Sequence, residues 1–247
     1  MTLLKAENIS VEFDKNQILD NVSITLNKGE LVSILGISGS GKTTLFNVLS
    51  GLINPQSGMV LLNGEDITGK TGHMSYMLQK DLLLPYKTII DNVSLPLVLN
   101  GISRKEARNT VLPHFEEFGL SDTMNMYPSE LSGGMRQRAA LLRTYMCGKE
   151  IALLDEPFSA LDTITKSQMH KWYLSIMKDI KLSTLFITHD IDEAILLSDR
   201  IYILGNTPTS IKEEIVISGE DVRNPDLLLK DTFLEYKRKI LSIIGEK

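Results

Sequence analysis

From residue 36 the chain reads Gly36-Ile-Ser-Gly-Ser-Gly-Lys-Thr43, a run of spaced glycines closed by a lysine and a threonine. These residue types suit phosphate oxygens. Glycines let backbone N–H groups turn inward around an anion, the lysine reaches β- and γ-phosphates, and the threonine hydroxyl can join the shell of a Mg2+ ion. The residues assigned to a nucleotide here are Gly36, Ser38, Gly39, Ser40, Gly41, Lys42, Thr43 and Thr44. A second group stands at Ile151-Ala-Leu-Leu-Asp155-Glu156, where four apolar residues bury a strand and deliver Asp155 toward a metal. Glu156 follows as a candidate general base for an attacking water. Alone, an acidic pair after an apolar run is a common strand end. Beside a phosphate loop it becomes the second half of a hydrolytic site.

Such a loop works only between a strand and a helix, and the flanking sequence supplies both. Leu31 to Leu35 is apolar apart from Ser33, as a strand covered on both faces requires, and Thr44 to Ser50 has helical character up to Gly51. Earlier, Ile9–Phe13 and Val22–Leu26 read as strands, and Gly58–Leu62 and Gly72–Leu78 form a second β-rich stretch. From about residue 81 to 148 longer helical periodicities take over, clearest at Arg104–Phe118 and Arg136–Met146. Strand-like runs return at Ile151–Leu154, Thr184–Thr188 and Arg200–Leu204, with a helix expected over Thr165–Met177. The expected fold is α/β: a mostly parallel sheet core, an antiparallel β subdomain at the N-terminal end and a helical insertion.

Leu131-Ser-Gly-Gly-Met-Arg-Gln-Arg138 is the third informative run. A serine hydroxyl, bare glycine N–H groups and a helix start together make a second anion site, although a serine is also an ordinary N-cap. In this position the run resembles the signature motif of ATP-binding cassette (ABC) proteins, and the remaining motifs of that family follow in order. Gln79 matches the Q-loop glutamine, Ser159-Ala-Leu-Asp162 the D-loop, His189 the switch histidine, and Phe13 the aromatic ring that stacks on adenine. The resemblance covers about residues 1–205 and implies a P-loop NTPase (RecA-like) cassette with core segments 1–80 and 149–205 and a helical subdomain 81–148. Residues 206–247 are expected to pack on that core.

The resemblance also assigns roles. Glu156, His189 and Gln79 would be catalytic, and Thr43, Gln79 and Asp155 would hold Mg2+. ATP would lie on the phosphate loop and Phe13, while Ser132, Gly133, Gly134 and Asp162 of a second copy would close over it. The implied assembly is a homodimer of cassettes on two permease subunits, at the cytoplasmic face of the membrane, with an extracytoplasmic solute-binding protein. By residue type alone His189 is an ordinary strand-end histidine; only the resemblance, with the Asp190-x-x-Glu193-Ala194 that follows it, raises it. Met77–Val93 is similar to the cassettes of nitrate, sulfonate and taurine importers and of thiamine-precursor importers. Within it, the apolar groups of Lys80–Ile90 either pack the helical insertion or form a groove for a short helix of a membrane partner. A cassette of an iron–sulfur assembly or cell-division complex is the other reading. Ile37, Thr43, Met135, Phe13 and Tyr86 depart from the commonest family residues without removing a phosphate or metal ligand.

Composition bounds these readings. The net charge of −5 over 247 residues argues against a nucleic-acid partner. No apolar run approaches the roughly 18–20 residues that a spanning helix needs, and no secretory signal is expected at the N-terminus. A single cysteine, Cys147, rules out internal disulfides and cysteine-built zinc sites. The interval between Thr43 and Ser132 is too short for the long coiled coil of a chromosome-structure ATPase. His73, His114 and His170 read as surface or structural residues. Asp226–Ile244 has the apolar spacing of an amphipathic helix, with core packing favoured over a membrane-surface role for Lys237, Arg238 and Lys239.

Overall fold

The computed structural model describes residues 1–218, 223 and 225–245. The chain starts with two long strands, β1 (Thr2–Phe13) and β2 (Asn16–Asn27), and then the short β3 (Leu31–Leu35). Helix α1 (Lys42–Leu49) follows the glycine loop, and β4 (Ser57–Leu62), β5 (Glu65–Asp66) and β6 (Ser75–Met77) come next. The helical stretch contains α2 (Ile89–Val93), α3 (Leu95–Leu99), α4 (Arg104–Glu117) and α5 (Gly133–Tyr145). Strands β7 (Ile151–Asp155), β8 (Ser183–Thr188), β9 (Arg200–Leu204) and β10 (Ile211–Val216) alternate with α6 (Thr163–Ile180) and α7 (Ile191–Leu197), and α8 (Asp231–Gly245) ends the described chain.

Two sheets result. The antiparallel one has the order β2-β1-β4-β5, and the other has the order β10-β9-β3-β8-β7-β6. Within the second sheet β9, β3, β8, β7 and β6 run parallel, and only β10 is antiparallel. Every residue of β3, β7 and β8 is buried, as continuous apolar runs covered on both faces should be. One apolar cluster packs the antiparallel sheet and α1 against one face of the parallel sheet, through residues such as Leu4, Ile24, Ile34 and Phe46. Another joins the opposite face to α5 and α6, through Leu154, Phe186, Leu142 and Tyr173. The fold is that of a P-loop NTPase, with the strand ends of β3, β7 and β8 pointing to one edge where the site lies.

Several elements differ from the sequence expectation. β1 begins at Thr2 instead of Ile9, because register shifts along its pairing with β2 break the simple alternation of Leu3, Leu4 and Ala6. Only Ser75–Met77 of the expected Gly72–Leu78 strand is extended in the sheet; Gly72 turns with φ +85°. The helices α2 and α3 and the edge strand β10 were not legible. β10 carries Lys212, Glu213 and Glu214 and contributes mainly Ile215 to a third apolar cluster. That cluster also takes Phe233 and Ile240 of α8 against Ile195, Ile201 and Ile203. Lys237 pairs with Asp192 at 2.6 Å and Lys239 with Glu213 at 2.5 Å, so two of the three adjacent cations lie on protein carboxylates.

Candidate functional site

The phosphate loop leaves β3 and enters α1. Gly41 caps α1 with φ +76°, and a Cβ there would come within 3.0 Å of the Ile18 and Leu19 side chains, so both conformation and space demand glycine. A Cβ on Gly36 would meet Ser40 Oγ at 2.7 Å. Lys42 lies along the inside of the loop, 6% exposed, and donates to the carbonyls of Gly36 at 2.8 Å and Ile37 at 2.7 Å. Burial pushes its ammonium pKa down, while Glu156 and Asp155 pull it back up. Ser40 Oγ is buried with no hydrogen-bond partner among the described residues.

The cleft over this loop holds about 680 Å³ and is lined by Phe13, Ile18, Ser38, Gly39, Gly41, Lys42, Thr43, Thr44, Gln79, Asp155, Glu156 and His189. Residues from five separate stretches of sequence therefore face one space. Thr43 Oγ1 donates to Asp155 Oδ2 at 3.1 Å. Asp155 is pushed up by burial; the Thr43 hydroxyl and Lys42 pull it down, and adjacent Glu156 pushes it further up. The Thr43 hydroxyl and the buried Asp155 carboxylate are hard oxygen donors, which fit Mg2+, and Gln79 lines the same cleft. No group of three or more His, Cys, Asp or Glu able to hold a metal occurs among the described residues.

Glu156 stands where β7 ends, in the left-handed region with φ +47°, its amide donating to Ile187 of β8 at 3.0 Å. A non-glycine residue there costs about 1–2 kcal/mol, and such strain clusters where a side chain must be aimed. Its carboxylate is held from two sides. His189 Nδ1 lies 3.1 Å from Oε1, and Gln79 Nε2 donates to Oε2 at 3.1 Å. Gln79, Glu156 and His189 come from the ends of β6, β7 and β8, three neighbouring strands, which is why positions so distant in sequence meet.

The signature residues sit elsewhere. Ser132 caps α5, accepting from the Met135 amide at 3.3 Å, and Gly134 is buried where a Cβ would come within 3.1 Å of Thr165 in α6. Asp162 caps α6, accepting from the amides of Ile164 and Thr165, both at 3.1 Å, and from Thr165 Oγ1 at 2.6 Å. Ser132, Gly134 and Asp162 do not line the phosphate cleft; Gly133 faces a second cleft of about 790 Å³. That second cleft shares Gln79, Glu156 and His189 with the first, and adds Asp81, Leu82, Leu83, Arg136 and Ser159.

Sequence reasoning missed four contributors. Ile18 walls the cleft beside Phe13. Ser159 Oγ donates to the Glu156 carbonyl at 3.0 Å, and Gln137 Nε2 donates to the Pro157 carbonyl. Thr207, in the tail, donates to the Gly39 carbonyl at 3.4 Å. Ser159 and Gln137 lie inside the motifs and were within reach; nothing in the local sequence marks Ile18 or Thr207.

Loop, acidic pair and sensor residues around one cleft define a nucleotide-hydrolysing P-loop enzyme, and comparison with known proteins gives the family. A model of the ABC transporter family matches residues 19–159. The formylaminopyrimidine import ATP-binding protein ThiZ of Halalkalibacterium halodurans is 44% identical over 207 residues, 83% of this chain and 81% of that protein. The nitrate import ATP-binding protein NrtD of a Synechocystis species is 37% identical over 232 residues, 92% and 87% of the two chains. The dimeric structure of MJ0796, a bacterial ABC transporter cassette, superposes with a TM-score of 0.75 at 28% identity, covering 88% of this chain and 100% of that one. The chain belongs to the ABC transporter family, as an ATP-binding cassette that hydrolyses ATP. Its relatives are import subunits, which does not favour the iron–sulfur or cell-division reading. No described helix is long and apolar enough to cross a membrane.

Proposed function

We propose that this cassette drives an importer for a small solute of the kind its relatives carry, an anion such as nitrate, a sulfonate or taurine, or a pyrimidine precursor of thiamine. ATP lies on the phosphate loop with adenine against Phe13, its phosphates on the Gly36–Thr44 amides and Lys42. Thr43, Asp155 and Gln79 would hold Mg2+, which would supply positive charge to offset that of the phosphates. Glu156 accepts the proton of the attacking water, while His189 and Gln79 fix the orientation of its carboxylate.

The observation that carries this reading is the separation of the two anion-binding elements. The Ser132–Gly134 helix start stands outside the cleft that holds Lys42, so it has no phosphate to meet within one chain. A second copy, arranged head to tail, brings Ser132, Gly133, Gly134 and Asp162 to the ATP of its partner, and closure of that dimer does the mechanical work. The dimer sits on two permease subunits at the cytoplasmic face of the membrane, served by an extracytoplasmic binding protein. Leu82 and Tyr86, 52% and 73% exposed, form the apolar surface offered to the permease.

Glu156→Gln tests the sandwich, because it keeps the side chain's shape but replaces one acceptor oxygen with an amide nitrogen and removes the base. Turnover should fall by at least about a hundredfold, and saturating ATP should convert the monomer to a dimer on size exclusion. Adding Ser132→Arg should abolish that dimer while nucleotide still binds. A Glu156→Gln variant that stays monomeric with ATP, or a Ser132→Arg variant that still dimerises, overturns the arrangement.

A further inference from the structure

Beneath His189 lies a charged cluster that the hydrolytic scheme leaves unused. Glu193 of α7 is 3% exposed and gathers three partners. His170 Nε2 of α6 lies 3.0 Å from its Oε1, Lys166 Nζ of α6 lies 3.4 Å from the same oxygen, and Thr188 Oγ1 donates to Oε2. Lys166 also donates to Asp190 Oδ2 at 2.7 Å, and the other Asp190 oxygen accepts from the amides of Asp192 at 3.0 Å and Glu193 at 3.2 Å. The Asp190 amide in turn donates to Thr188 Oγ1 at 3.0 Å.

Both chain neighbours of His189 are therefore fixed, Thr188 through Glu193 and Asp190 through Lys166, and both anchors lead to α6. His189 itself is 57% exposed at its side chain and touches Glu156. Its ring has little packing to hold it, so its placement depends on the backbone on either side. Lys166 and His170 lie in the first half of α6, whose N-cap Asp162 ends the Ser159–Asp162 loop, and Ser159 donates to the Glu156 carbonyl. Burying a carboxylate such as Glu193 is unfavourable unless it is paired. Here it is.

We propose that Lys166, His170 and Glu193 form a positioning unit that holds His189 against Glu156 and ties its placement to that of helix α6. None of the three touches nucleotide; they act through the backbone of residues 188–190. The inference rests on the hydrolytic role given to His189. Its functional consequence is that any shift of α6, at the segment where a second copy would press on Asp162, reaches the catalytic carboxylate through Lys166 and Glu193.

Lys166→Met removes the two ion pairs at a side chain 20% exposed, and its melting temperature, measured alongside kcat, checks that the fold is retained. The expected result is a fall of about tenfold or more in kcat, the scale of a misplaced catalytic group, with the ATP Kd within twofold and Lys166→Arg restoring most of the rate. Combined with His189→Ala, the Lys166→Met change should add nothing, since both act through one group. A full additive loss in the double variant, or a Lys166→Met kcat within twofold of the parent, overturns the positioning unit. If His189→Ala alone keeps full turnover, the hydrolytic role of His189 fails first. His170→Phe, read by melting temperature as well as kcat, separates loss of the unit from loss of the fold: an equal fall in both measures stability alone and counts against it.

Discussion

Asn92→Ala is the substitution that separates the loop proposed to face the permease from the chemistry. Asn92 is fully buried in α2 and holds the preceding loop by four hydrogen bonds: its Oδ1 accepts from the Leu84 amide at 2.6 Å, and its Nδ2 donates to the carbonyls of Leu84, Lys87 and Thr88 at 3.2, 3.1 and 3.1 Å. Each bond contributes about 1 kcal/mol net, and a buried group left unpaired costs about 1–3 kcal/mol. Leu84, Lys87 and Thr88 are only half-buried, so water can reach some of the freed carbonyls. A total loss of about 3 kcal/mol follows, equivalent to a fall of about 6–12 °C in Tm for a chain of this size. No residue of the phosphate cleft touches Asn92, so basal ATP hydrolysis below the new Tm should stay within twofold. Thermal melting, hydrogen exchange at the Leu84 amide and ATPase assays with and without permease read these separately. A Tm drop under about 2 °C, or exchange at Leu84 unchanged, would show that the loop is held by something else, and the assignment of Asn92 would be wrong.

Two other measurements probe the site and its support. Phe13→Ala should weaken ATP binding by the roughly 1–3 kcal/mol of a lost base–aromatic stack, about 5- to 150-fold in Kd by calorimetry, with Phe13→Tyr near the parent; a change within twofold removes Phe13 from the adenine site. Burial works to raise the Asp190 carboxyl, but Lys166 and the α7 amides outweigh it and hold the pKa below the ordinary 3.8. A depressed folded-state value means the stabilisation is present above the unfolded pKa and disappears as pH falls through the folded one. Urea midpoints of the parent and Asp190→Asn should therefore differ most near neutral pH and converge in acid below 3.8; a gap independent of pH contradicts the assignment.

Legibility followed chemistry. Phosphate binding demands contiguous residues, so Gly36–Thr43 announced itself, and the buried strand ending in Asp155-Glu156 needed only an apolar run and an acidic pair. Gln79 and His189 carry no local signal; they meet Glu156 because β6, β7 and β8 are adjacent, a tertiary fact that only the family resemblance anticipated. Asn92 and Arg143 were invisible for a different reason. They bind backbone carbonyls, and a carbonyl has no side-chain identity to read. β10 was missed because an edge strand with one buried residue in six looks like a polar loop.

The support of the loop bears on how the machine couples. Arg143 of α5 donates to the carbonyls of Asp81 at 2.5 Å and Leu82 at 2.8 Å, and Leu82 itself takes φ +45°. Asp81 follows Gln79 by two residues, and Gln79 holds one oxygen of Glu156. In the proposed assembly, a permease pressing on Leu82 and Tyr86 meets a loop pinned at its start by Arg143 and at its end by Asn92. Such a loop moves as a unit and carries Gln79 with it. The other oxygen of Glu156 is held by His189, whose neighbours are fixed to α6 by Lys166 and Glu193. One carboxylate therefore takes one restraint from the loop facing the membrane partner and one from the helix facing a second cassette. Both contacts are present within one chain, so in the proposed assembly permease and second cassette would act on turnover by shifting restraints that already exist.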